Sequence, residues 1–169
     1  MLHCMMIKLN EICRYPVKGL SADVISSATL SIGGALPLDR KWGIIHAASS
    51  VDMSNPSWAT KKNFLMMARD EKIGLLSSTF DEDGSILSIL RKGKQISRGS
   101  LADPMGKQVL QTFLAGFMPG GARGNPRIVE APNEDCFTDV PENYLSLINL
   151  DSVKDLETRI IRDEVQPHR

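Results

Sequence analysis

Aromatic residues are scarce in this chain, with two Trp, two Tyr and five Phe among 169 residues. That scarcity argues against a single-stranded nucleic-acid platform, which stacks bases on exposed rings. Neither sign of charge is in excess: 20 Lys and Arg balance 20 Asp and Glu, and the pI is about 6.8. No basic groove therefore draws in RNA or an anionic membrane. No apolar run approaches the roughly 18 residues a membrane helix needs, so no membrane role is expected. Cysteines are few, Cys4, Cys13 and Cys136, and have no paired spacing. With no signal peptide, because Lys8 interrupts the short apolar Met1–Ile7, they point to a reducing cytoplasm without a disulfide framework. Three scattered histidines and the lack of a Gly-x-Ser-x-Gly run leave nucleophilic hydrolase chemistry without an anchor.

What is present is the composition of a folded domain. A 42% hydrophobic and 24% charged sequence of this length can build one real core, or one domain plus a fragment of a second. Its charge is uneven along the chain. Residues 1–72 hold nine Lys and Arg against six Asp and Glu, which leaves eleven against fourteen for the rest. The positive excess lies in the half that contains Lys18, Arg40 and Arg69. Between Ile128 and Val153 six acidic residues occur with no Lys or Arg.

Period-2 patterning predicts strands over residues 5–13, 23–32 and 41–47, the second ended by Gly33-Gly34. Residues 48–63 have the composition of a loop, in which Trp58 either plugs one end of a barrel or covers a ligand. Residues 64–69 read as a helical turn or short strand, and 72–80 as another strand. Asp81-Glu82-Asp83-Gly84 and Lys92-Gly93-Lys94 are hairpin turns, the first too short in ligands to be a calcium loop. Asp103 followed by Pro104 starts an amphipathic helix over 103–117, with Met105, Val109, Leu110, Phe113, Leu114 and Phe117 on one stripe. A short strand over 127–131, a strand over 144–150 and a last helix capped by Asp151-Ser152, with Val153, Leu156 and Ile160 inward, complete the reading. His46, alone late in its strand, reads as a packed or edge residue.

The stretch from Ile12 to Trp42 organises the rest. It places Lys18, between Pro16 and Gly19, and Arg40, beside Asp39, at two turns flanking one strand. Pro16 stiffens its corner and Gly19 lets backbone approach closely. The Arg40 fork matches phosphate or carboxylate, and Asp39 either holds that fork or is simply its salt-bridge partner. Two readings stay open from the residues alone: a convergent anion site, or surface ion pairs with Asp23 and Asp39 worth roughly 0–1 kcal/mol each.

The runs Tyr15-Pro16-Val17-Lys18-Gly19-Leu20, Leu36-Pro37-Leu38-Asp39-Arg40-Lys41-Trp42 and Phe64-Leu65-Met66-Met67-Ala68-Arg69 resemble the N-terminal β-barrel domain of the MOSC family. Its members include the mitochondrial amidoxime reducing components and bacterial YcbX-like proteins. The resemblance covers about residues 5–160 and is most specific in the first forty. It implies a mainly β (α+β) fold: a barrel-like domain over 1–132 with one packed helix, then over 133–169 a truncated strand-helix start of the MOSC domain. It further implies the molybdenum cofactor, a molybdopterin, with Lys18, Gly19, Arg40 and Arg69 as cofactor-binding residues and oxidoreductase or sulfur-carrier chemistry in full-length relatives. Departures are visible. Many members carry a hydroxyl residue where Gly19 stands, and a threonine where Met67 stands. The cysteine that ligates molybdenum in the family lies in a segment beyond Arg169, and the three cysteines here fall at other positions. No catalytic and no metal-binding residue is therefore assigned. The chain alone is expected to be inactive and not to retain the cofactor, with the remainder of a MOSC domain or a redox protein as partner. The alternative is a non-catalytic β-barrel binding module for a small anion or a protein.

Overall fold

A computed structural model describes residues 7–133 and 135–160. Strands and helices run in the order β1 (Ile12–Arg14), β2 (Val17–Lys18), β3 (Asp23–Ile25), β4 (Trp42–Ile45), β5 (Ser77–Asp81), β6 (Ile86–Arg91), β7 (Lys94–Ser100), α1 (Pro104–Phe117), β8 (Arg127–Glu130) and α2 (Leu150–Arg159). Single 3-10 turns occupy Lys61–Asn63 and Glu71–Leu75. The architecture is mixed α+β with three small sheets: β1-β3, β2-β4-β8 and β5-β6-β7. Among the described residues the sheets do not close into one hydrogen-bonded barrel. No helix among them is long and apolar enough to cross a membrane.

The β5-β6-β7 meander is built by its turns. Lys92 and Gly93 both take positive φ, 50° and 75°, the mirror-image turn whose twist matches that of the strands it joins. Inward Leu87 and Ile89 are 2% and 0% exposed. Asp103 caps α1 by accepting from the Gly106 N–H at 2.8 Å, and Pro104 occupies the first turn, where its missing donor costs nothing. Backbone of α1 lies directly on β7, for a Cβ on either Gly99 or Gly106 would collide with the other strand or helix. Leu110 and Leu114 are fully buried with Phe113 and Phe117 against the same core, whereas Met105 and Val109 of the expected stripe point outward at 70% and 46% exposure. The main core draws Val17, Trp42, Ile44, Leu87, Ile89 and Ile128 together, so all three elements of the β2-β4-β8 sheet share it with the meander and α1. A second, smaller cluster joins Ile45, Phe64, Val129, Ala131 and Phe137.

Five expected elements are corrected. The first strand is confined to Ile12–Arg14, with residues 5 and 6 outside the described ones. The second ends at Ile25, because its partner β1 supplies only the register Ile12 to Arg14. Beyond it Leu30 and Ile32 stand 54% and 109% exposed, alternation with no face to bury. Residues 71–75 are a 3-10 turn, not strand, because buried Asp70 redirects the chain: its carboxylate accepts from the Met66 N–H and its carbonyl from the Ile73 N–H. Residues 144–149 are irregular, with Leu147 91% exposed and no strand opposite. The helix that follows is capped by Asn149, whose side chain accepts from the N–H groups of Asp151 and Ser152. None of its residues is buried, and Val153, Leu156 and Ile160 face outward rather than inward.

Candidate functional site: cations around the 136–139 strap

Lys18 ends β2, a two-residue strand paired in parallel with Trp42 and Gly43 of β4. Although β2 is an edge strand, the Lys18 side chain is only 8% exposed. A buried ammonium must be paired or hydrogen-bonded, and Lys18 finds partners 119 and 121 residues away. Its Nζ donates to the Phe137 carbonyl at 2.7 Å and to Asp139 Oδ1 at 2.6 Å, and lies 5.6 Å over the Phe64 ring. Gly19 takes φ +88°, and a Cβ there would meet Leu65 O at 2.9 Å. The close approach that glycine permits is made by the chain itself.

Arg40 sits in the turn before β4 with positive φ, as does Leu38, conformations sparsely populated by non-glycine residues and held here by surrounding bonds. Its N–H donates to Tyr15 O, and its guanidinium pairs with Asp39 and stacks 5.4 Å over the Tyr15 ring. Asp39 in turn accepts from the Tyr15 N–H at 2.7 Å. Asp39 thus pairs with the fork and ties it to the neighbouring turn. Asp23 does not pair with Lys18.

A strap over residues 136–139 lies between these cations. Phe137 is 0% exposed, packs tilted on Phe64 at 5.0 Å, and donates its N–H to Arg40 O. Thr138 is fixed from both sides: Trp58 Nε1 donates to its carbonyl at 3.0 Å, and its hydroxyl donates to Val140 O. Trp58 therefore pins the strap. Asp139 projects outward with its side chain 70% exposed. The hydrogen bond from Lys18 holds its carboxyl below the ordinary range, against a smaller opposing effect of burial, with Lys18, Arg40 and Lys61 adding attraction through space. Lys18 holds the Asp139 carboxylate directly, and Arg40 meets the same strap through its carbonyl.

Arg69 is engaged elsewhere. Its fork donates to Phe64 O, Lys62 O and the carboxylate of buried Asp70. His46 is buried and its Nε2 shares the Lys62 carbonyl at 2.8 Å, leaving Nδ1 without a partner among the described residues. His46 knits the 61–70 segment to the end of β4, and Arg69 ties that segment to itself. Cys136 is buried, its thiol pushed up chiefly by burial and bonded to Asn143, while the exposed Cys13 thiol is pushed up by its bond to Glu11. Raised thiols are poor thiolate ligands. Among the described residues no group of three or more His, Cys, Asp or Glu is placed to hold a metal ion.

Sequence reasoning missed Arg14. At 5% exposure it is the most buried Lys or Arg of the described residues, donating to Asp23 and Glu82 at 2.8 Å each and to Pro37 O. Burial acts to lower its pKa, but the bonds it donates to Glu82 and Asp23, with their charges, outweigh it and raise the value. The signal was available, since Asp23 lies directly opposite Arg14 in the β1-β3 register. Arg14 and Glu82 line an open cleft of about 560 Å³, and a second of about 400 Å³ lies beside Lys107, Gln111 and Met53; neither is lined by Lys18, Arg40 or Arg69.

No protein-family model, curated protein or solved structure matches the chain.

Proposed function

We propose that Lys18 and Arg40 hold the phosphate of a pterin, as the N-terminal part of a MOSC-type molybdenum-cofactor protein of the oxidoreductase or sulfur-carrier class, working in a reducing cytoplasm. One observation carries the reading. The Lys18 side chain is 8% exposed while that of its single carboxylate partner is 70% exposed, so a buried cation is matched by an anion that water can reclaim. The phosphate suits this donor set: an ammonium point charge and a guanidinium fork, with Lys61 nearby. The metal does not, because Cys13 and Cys136 carry raised thiols. Molybdenum, when bound, supplies the redox or sulfur-transfer chemistry; Lys18 and Arg40 only position the phosphate.

Two further parts of the reading rest on packing. A barrel-like arrangement is supported by the main core that the β2-β4-β8 and β5-β6-β7 sheets share. A partner, either the remainder of a MOSC domain or a redox protein, is supported by residues 140–160, where Tyr144, Leu147, Ile148 and Leu156 are all more than half exposed. A ten-residue helix with no buried face is marginal in water by itself. The second reading, a non-catalytic module for a small anion or protein, is favoured by the lack of a thiolate ligand among the described residues.

Titrating a pterin phosphate monoester into the protein and following amide shifts tests the proposal. Lys18→Gln and Arg40→Gln are each expected to weaken binding about ten-fold, the loss of one charge-assisted contact. Unchanged binding in Lys18→Gln contradicts it.

A further inference from the structure

The Asp139 carboxylate occupies the ligand position on Lys18 that an external oxyanion would need. Its backbone cannot withdraw easily, because Phe137 is buried, Trp58 holds the Thr138 carbonyl, and the Thr138 hydroxyl closes a turn on Val140. The side chain can. At 70% exposure it needs only a rotamer change into water, a movement of picoseconds to nanoseconds. Lys18 cannot follow, since it stays bonded to Phe137 O and packed over Phe64.

The charge count favours exchange. Lys18, Arg40 and Lys61 against Asp39 and Asp139 leave one net positive charge at the strap, three minus two. With Asp139 turned out the count is three minus one, or two, which balances a phosphate dianion. A carboxylate satisfies the buried ammonium when no ligand is bound and avoids the cost of an unpaired buried charge. Because it is tethered, it is present at a high effective concentration and selects for anions stronger than itself.

We propose that Asp139 is a built-in competitor for the oxyanion site, released from Lys18 when a phosphate group binds and returning when it leaves. This rests on the reading of Lys18 as a phosphate ligand. The device sets an affinity threshold: monoanions and chloride fail to displace the carboxylate, while doubly charged phosphate groups do.

The test compares wild type, Asp139→Asn, Lys18→Gln and the double variant by calorimetric titration. One arm uses inorganic phosphate and the other a pterin phosphate monoester, which separates free phosphate from an organic phosphate as the source. Asparagine keeps an acceptor oxygen for the ammonium but removes the competing charge. Asp139→Asn is expected to bind about ten-fold tighter than wild type in at least one arm, the worth of one such charge pair, and the gain is expected to vanish in the double variant. Equal affinities of Asp139→Asn and wild type, with Lys18→Gln weaker than both, overturn the competitor while leaving Lys18 as a phosphate ligand. Binding unaffected by Lys18→Gln in both arms removes the phosphate reading and this proposal together. Should Asp139→Asn not fold, the carboxyl carbon shift of Asp139 in wild type decides: a phosphate-dependent change supports release, and a constant shift under saturating phosphate refutes it.

Discussion

Arg14 and Lys18 are both cations with almost fully buried side chains, four residues apart, and they differ in what neutralises them. Arg14 spends its planar fork on two carboxylates and a carbonyl, joining β1, β3, the Pro37 turn and the β5-β6 hairpin. Of its two carboxylates, both at 2.8 Å, Asp23 is only 22% exposed and Glu82 is 61% exposed. Such an arrangement has no vacancy. Lys18 has one carboxylate, and that carboxylate is mostly in water. A buried charge that keeps a largely buried carboxylate beside its exposed one is a staple, and one whose single carboxylate is exposed is a site that another anion can take. Burial alone does not separate the two; the exposure of the counter-ion does.

The comparison breaks first at Arg14. Replacing it with Ala leaves Asp23 partly buried without its partner and unties the hairpin, and is expected to cost about 3 kcal/mol in a denaturant titration. Arg14→Lys is expected to recover less than half of that, since one ammonium cannot meet three acceptors in fork geometry. Lys18→Met is expected to cost about 1 kcal/mol or less, because the exposed Asp139 returns to water while an apolar chain fills the same volume. A loss at Lys18 as large as that at Arg14 would erase the distinction.

A smaller effect sharpens it through pH. Because the folded state holds the Asp139 carboxyl below its ordinary value of 3.8, its pairing stabilises the fold above that value. The contribution is lost as pH falls through the lowered folded value. Below about pH 4, wild type is therefore expected to lose this increment and Asp139→Asn to have none to lose, a difference under about 1 kcal/mol for so exposed a group. Denaturation midpoints of the two proteins between neutral and acid pH measure it.

Much of the fold was legible where local chemistry decides it. Asp103-Pro104 caps a helix by itself, and Lys92-Gly93 makes a two-residue turn whatever surrounds it. Segments 26–32 and 144–150 alternate like strands and are not strands, because a strand exists only with a partner edge and neither segment has one. The site was half legible. Lys18 and Arg40 do flank one strap, but the strap comes from residues 136–139, a separation of over a hundred residues that no local pattern encodes. Arg69 was placed with them by resemblance, whereas adjacent Asp70 and the Lys62 and Phe64 carbonyls take its fork. The hydrogen bond by which the Trp58 indole holds the strap spans 80 residues and was not legible either.

The most direct measurement is a phosphate titration of the wild-type protein observed at the side-chain nitrogens of its two buried cations. Shifts at Lys18 Nζ that saturate with phosphate, with Arg14 Nε unmoved, are the predicted result. A still Lys18 signal at saturating phosphate, or equal movement at Arg14, would contradict the account.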